Sequence, residues 1–107
     1  MTTAPKAEIL NLSEMVSYQI GSVVSRQITK ADAGNVTLFA FDTGQELSEH
    51  TAPFDALAHV VEGETEIIIS GKSYHLKAGD AIIMPADEPH AVKANGQFKM
   101  LLTMIRT

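Results

Sequence analysis

The chain contains no cysteine, which excludes disulfides, thiolate metal sites and cysteine nucleophiles together. Imidazole chemistry can still be supplied by its four histidines. There is no run of Lys or Arg either, and the formal net charge is -5. Nucleic-acid binding rests on neutralising phosphates, so nucleic acid is not an expected partner and a small molecule is. No stretch reaches the ~18 apolar residues that a bilayer-spanning helix needs. The opening MTTAPKAEILNL lacks a cationic start followed by a sustained apolar run. A soluble, cytoplasmic protein without membrane association is therefore expected. Internal repeats, linkers and low-complexity stretches are also missing, which points to one domain. Its 107 residues are enough to bury roughly two-thirds of the unfolded surface without a metal or disulfide staple.

What the sequence does have is a series of short runs rich in Val, Ile, Phe and Thr. Residues 1–20 read as a polar N-terminal arm with a turn of helix over 12–16, for which Ser13 is a candidate cap. Residues 21–107 read as a β-barrel. Strands are predicted over 23–29, 36–41, 56–61, 64–69, 72–76, 81–84, 91–93 and 98–105, separated by Gly, Asn, Asp and Pro at the spacing of a sandwich or barrel. Gly34-Asn35, Glu62-Gly63, Ser70-Gly71 and Asn95-Gly96 supply residues that tolerate positive φ where antiparallel strands reverse. Ser70-Gly71 is the clearest hairpin. The segment FKMLLTMI over 98–105 is apolar on both faces, which a strand with one solvated face would not be. One face should meet something else, so a homodimer is predicted, with the N-terminal arm as a second contributor to the interface.

Two stretches carry the chemistry. In the first, residues 44–63, GQELSEHTAPFDALAHVVEG, Gly44 is followed after five residues by His50, and the strand that ends near Gly63 carries His59. In the second, residues 79–95, Gly79 is followed after five residues by Pro85, and His90 opens the next strand. This pair of stretches resembles the two motifs of the cupin superfamily, and the resemblance implies an all-β, double-stranded β-helix (jelly-roll) barrel. The first motif places histidine, histidine and glutamate ligands. Here those positions fall on His50, on Ala52, and on Ala56 or Leu57, depending on the spacer. In the second motif Gly79, Pro85 and His90 match, Asp87 stands in place of a glycine, and Asn95 lies one residue beyond the expected asparagine.

Strand alternation puts Asp55, Leu57, His59 and Val61 on one face and Ala56, Ala58 and Val60 on the other. If the glutamate position is Leu57, the resemblance makes the first of these faces the inner one. His59 then points inward, one pleat from the usual ligand position. The expectation is a three-imidazole site, His50, His90 and His59, suited to a divalent transition metal such as Zn, Fe, Ni or Cu. Asp55 would orient a histidine from behind. Phe54, Leu57, Met84 and Met104, with Met100, Phe39 and Phe41, would supply the apolar filling and pocket wall. His75 reads as a surface residue, and Glu46 and Glu49 as solvated. The resemblance implies an enzyme of dioxygenase, isomerase or cyclase type acting on a small organic substrate. The rival is a non-catalytic binding or sensor protein whose histidines only hydrogen-bond a ligand.

Overall fold

The computed structural model describes residues 3–106, and among them the period-2 patterning resolves into nine strands. They are β1 (Val23–Ala31), β2 (Gly34–Phe41), β3 (Glu46–His50), β4 (Asp55–Glu62), β5 (Glu64–Ile69), β6 (Lys72–Lys77), β7 (Ala81–Met84), β8 (His90–Lys93) and β9 (Phe98–Ile105). They form a five-stranded sheet in the order β1-β2-β9-β4-β7 and a four-stranded sheet in the order β3-β8-β5-β6. Every pairing is antiparallel. This is the jelly-roll architecture, and no helix among the described residues is long and apolar enough to cross a membrane.

The strand that patterning missed is β3. Its side chains are exposed except for half-buried Leu47, so no apolar alternation marks it. It lies at the edge of its sheet, where charged side chains guard unpaired backbone against association. The predicted Ser70-Gly71 turn is present, with φ of 48° and 82° at the two positions, the signature of a two-residue hairpin. The first hairpin turns at Asp32-Ala33, ahead of the expected Gly34-Asn35. Gly34 belongs to β2, where the Met104 carbonyl leaves no room for a Cβ. The short helix is a 3-10 turn over Leu12–Glu14 that begins after Asn11 and has no side-chain cap, so Ser13 lies inside it rather than capping it.

Both sheets turn an apolar face inward. Ala56, Ala58 and Val60 of β4 meet Ile67 and Ile69 of β5, Leu76, Val92, Met84 and Met100, and around them Phe41 stacks on Phe98 with ring centroids 4.5 Å apart at 15°. A second, smaller core lies on the opposite face of the five-stranded sheet. There Ala4, Val16, Leu12, Met15 and Tyr18 of the arm cover Ile28, Leu38, Ala40 and Leu101. Polar bonds fasten the arm: the Ala4 amide donates to the Ile28 carbonyl at 2.8 Å, Tyr18 Oη to Glu62 Oε2 at 2.6 Å, and Lys99 Nζ to the Ser13 carbonyl.

Candidate functional site

The site forms where β3 pairs with β8. Leu47 stands opposite Val92, and His50 opposite His90. Three residues on β3 thus span two on β8, so β3 bulges between Leu47 and His50. The bulge cancels one step of the pleat and turns His50 to the face that His90 and Val92 share. The two rings meet edge to face, with centroids 4.3 Å apart at 67°.

The Pro85–Pro89 loop delivers His90 and is pinned at several points. The Asp87 amide donates to the Ala52 carbonyl at 2.7 Å, the Ser70 amide to the Pro89 carbonyl at 2.8 Å, and Ser70 Oγ to Glu88 Oε1 at 2.8 Å. Asp87, standing where the motif has glycine, has φ 63°. Aspartate is among the few side chains that visit this left-handed region routinely, so the loop keeps its path without the glycine.

Each imidazole has one nitrogen committed. His50 Nδ1 donates to the Ser48 carbonyl at 2.7 Å and His90 Nδ1 to the Glu88 carbonyl at 3.2 Å. A carbonyl only accepts, so Nδ1 carries the hydrogen, and in the neutral ring Nε2 is left as a lone-pair acceptor. His90 is 5% exposed. Burial is the main cause that pushes its pKa below the usual histidine value; the Glu88 carbonyl raises it and neighbouring His50 lowers it again. His50 is exposed. The pair therefore joins one ring inside the barrel to one at its mouth.

The other sequence candidates are placed differently. The inner face of β4 is Ala56, Ala58 and Val60, so parity runs opposite to the expected sense. His59 and Leu57 lie on the outer face, opposite Leu101 and Thr103 of β9. His59 cannot join His50 and His90 through the barrel, and Leu57 does not line its interior. Their own residue types gave the wrong impression: the small Ala56 and Ala58 face inward, beside the long side chains of Met84, Met104 and Leu102 on the flanking strands. The glutamate position of the motif is accordingly Ala56. Asp55 lies on the same outer side, and its carboxylate accepts from the Ala86 amide at 2.8 Å. It ties a loop and does not back a histidine. Phe54 is half-buried beneath Arg106, whose guanidinium carbon is 6.0 Å from the ring centroid. Met84 and Met104 do face inward, Met84 in the buried cluster and Met104 packed against it. His75 is exposed, 4.0 Å from Glu64. The bulge and the two carbonyl locks carry no letter-level signal and were not foreseen.

A metal centre of the family type draws on further donors beside His50 and His90. Ala52 and Ala56 occupy two of those positions, and among the described residues no group of three or more His, Asp or Glu side chains comes together as a ligand set. The donor set does not fit a resident metal held by protein ligands alone.

Comparison with known proteins agrees with the fold. A conserved protein of unknown function from Streptococcus pyogenes is 32% identical, with a TM-score of 0.91 over 100% of this chain and 96% of that one. A cupin 2 conserved barrel domain protein from Leptotrichia buccalis is 38% identical, with a TM-score of 0.88 over 91% of this chain and 47% of that one. A protein of Streptomyces cyaneus named polyketide synthase CurC is 30% identical over 67 residues, 62% of this chain. This chain spans only 44% of that protein. Residues 37–106 match the family model described as Cupin domain. With two antiparallel sheets closed over one core and a histidine from each motif at the barrel mouth, the chain belongs to the cupin family.

Proposed function

We propose that this cupin is a binding protein for a small organic molecule, which sits at the barrel mouth and donates hydrogen bonds to the Nε2 atoms of His50 and His90. The carrying observation is that both Nδ1 atoms are spent on backbone carbonyls, so neutral rings offer the ligand acceptors only. A chain of net charge -5 adds no attraction for an anion. The ligand is therefore neutral or cationic, bears O–H or N–H donors, and has an apolar part that meets the aliphatic lining beside His90, beginning with Ile69, its partner in the β5–β8 register.

A second reading rests on the same tautomer. Histidines that bind metal characteristically donate their other ring N–H to a carbonyl or carboxylate. Under this reading His50 and His90 hold a divalent transition metal, Zn, Fe, Ni or Cu, only together with donors brought by the substrate, and the metal supplies Lewis-acid or oxygen chemistry of dioxygenase, isomerase or cyclase type.

Native mass spectrometry and elemental analysis of the same purified sample separate the two. An organic adduct without stoichiometric metal, lost in both His50→Ala and His90→Ala, supports the binding protein. Stoichiometric metal lost in both variants overturns it in favour of the second reading. Retention of the adduct in both variants removes the histidine pair from either.

A further inference from the structure

The inner face of the five-stranded sheet changes character along β2. Residues paired directly across strands share a face, so Phe41, Phe39, Thr37 and Asn35 lie in the interior with their β9 partners Phe98, Met100, Leu102 and Met104. On β1, Gln27 pairs with Thr37 on the same face. The strand thus passes from two aromatics to two polar residues, and Gln27, Asn35 and Thr37 are all half-buried. The Met104 row continues through Ala56 to Met84, from which the Pro85–Pro89 loop runs to His90. The polar residues therefore stand at the histidine end of the barrel. They also stand on the histidine side. β6 and β7 line one cleft between the two sheet edges, residues 73–76 against 80–82. That leaves β3, with His50, across from β1 and β2 at the other edge, where Leu47 packs in one cluster with Val23 and Phe39.

We propose that Gln27, Asn35 and Thr37 form a second polar wall of the binding site and select a neutral ligand that is polar at both ends. The inference rests on the binding reading above, in which one end of the ligand donates to the two imidazoles. Half-burying two amides and a hydroxyl in a barrel costs stability unless they find partners. Thr37 Oγ1 donates to Asn35 Oδ1 at a long 3.5 Å, a bond that uses neither N–H of Asn35. A carbonyl, amide or hydroxyl at the far end of the ligand supplies the missing partner, since a side-chain amide both donates and accepts. Facing sheets lie ~10 Å apart, so one molecule of modest size reaches both walls, its apolar middle beside Ile69 and Met104. The wall residues carry no charge, and Lys30, which pairs with Asn35 and is exposed at the rim, opposes a cation. Of the neutral and cationic ligands that two acceptors admit, this wall favours the neutral.

NMR titration of the full chain at about pH 7.5, where both rings are neutral, tests this with three probes. Meta-hydroxybenzamide has an O–H donor at one end and an amide at the other. Phenol lacks the second group, and the meta-hydroxybenzylammonium ion replaces it with a charge. Meta-hydroxybenzamide is expected to shift the His50 and His90 ring signals together with the Gln27 and Asn35 side-chain amides, and to bind about fivefold more tightly than either other probe. Gln27→Leu and Asn35→Leu each erase that advantage and leave phenol binding unchanged. Asn35→Asp reverses it in favour of the cation, a change of preference that a merely structural asparagine would not produce. Gln27 lies on the edge strand β1, and its substitution with unchanged circular dichroism keeps the test decisive if Asn35→Leu fails to fold. Equal binding of the three probes at the histidine rings, or an advantage that survives Gln27→Leu, overturns the wall alone. Rings left unmoved by every probe overturn the binding reading, and the wall falls with it.

Discussion

The two faces of β4 are built from alternate residues of one strand, yet they belong to different environments. Ala56, Ala58 and Val60 are sealed between the sheets, while exposed Leu57 and half-buried His59 lie on the outer face. The larger apolar side chain is the exposed one. Side-chain size therefore does not report burial here; closure of the four-stranded sheet over this face does, with Ile67, Ile69 and Val92 in the same buried cluster as the alanines. The contrast is sharpest when one residue from each environment is cut back. Phe98→Ala, in the stack with Phe41, is expected to cost about 3–5 kcal/mol in urea unfolding. Leu57→Ala is expected to cost less than about 1 kcal/mol. Similar losses for the two would erase the distinction between the faces.

A second large effect belongs to the corner where β4 passes into β5 and so from one sheet to the other. Gly63 has φ 78°, and a Cβ there would meet the Gln97 carbonyl and lie 3.0 Å from Phe98 Cα. Gly63→Ala combines a left-handed conformation with a backbone collision, and roughly 2–4 kcal/mol of destabilisation is expected. Asn95-Gly96 makes the informative control. Gly96 has open space around it, so Gly96→Ala is expected to stay within about 1 kcal/mol. Equal tolerance at both glycines would show that the corner relaxes more freely than its contacts imply.

These contrasts also define what the sequence made legible. Resemblance to the two cupin motifs located His50 and His90, because both fall on histidine positions of that pattern. Alternation alone divided β4 into its two faces. It could not say which face was inner, since that depends on which face the four-stranded sheet closes over, a long-range contact. The choice of Leu57 as an inward position carried His59 inward with it, and one parity error misplaced both. The β3 bulge was illegible for another reason: SEH is an ordinary polar segment, and the extra residue exists only relative to the β8 register.

Within the site, the buried imidazole of His90 is expected to titrate below its ordinary range. Burial lowers the His90 pKa, so its midpoint in an NMR titration of the ring protons lies below the ordinary value of about 6.5. The sign for stability follows. Below about pH 6.5 the unfolded chain takes up a proton that folded His90 resists, so this contribution is complete above that pH and is lost on acidification through the folded midpoint. Ligand binding through Nε2 acceptors falls over the same acid range, because a protonated ring accepts nothing. A His90 midpoint at or above about 6.5 in the free protein would contradict the buried neutral ring.

The smallest expected effect compares the half of the outer face that the arm covers with the bare half beyond it, where Leu57 and Ile83 are exposed. On the covered half the arm is held by Tyr18, whose hydroxyl donates to Glu62, with Lys99 Nζ 3.6 Å from the same carboxylate and 5.0 Å from the Tyr18 ring centroid. Burial first, then the hydrogen bond and charge of Glu62, hold the phenol protonated well above its ordinary pKa. A raised pKa stabilises the fold fully below the unfolded value of about 10, and the contribution declines as pH rises beyond it. Tyr18→Phe removes the bond at neutral pH for about 1 kcal/mol, discounted for partial exposure, and flattens the alkaline decline in a series of melting temperatures. Amide exchange should locate the loss: faster exchange at Ala4, whose N–H bonds the Ile28 carbonyl, with Leu57 and Ile83 unaffected. Faster exchange on both halves together would mean that arm and bare face open as one unit, and the division between them would fall.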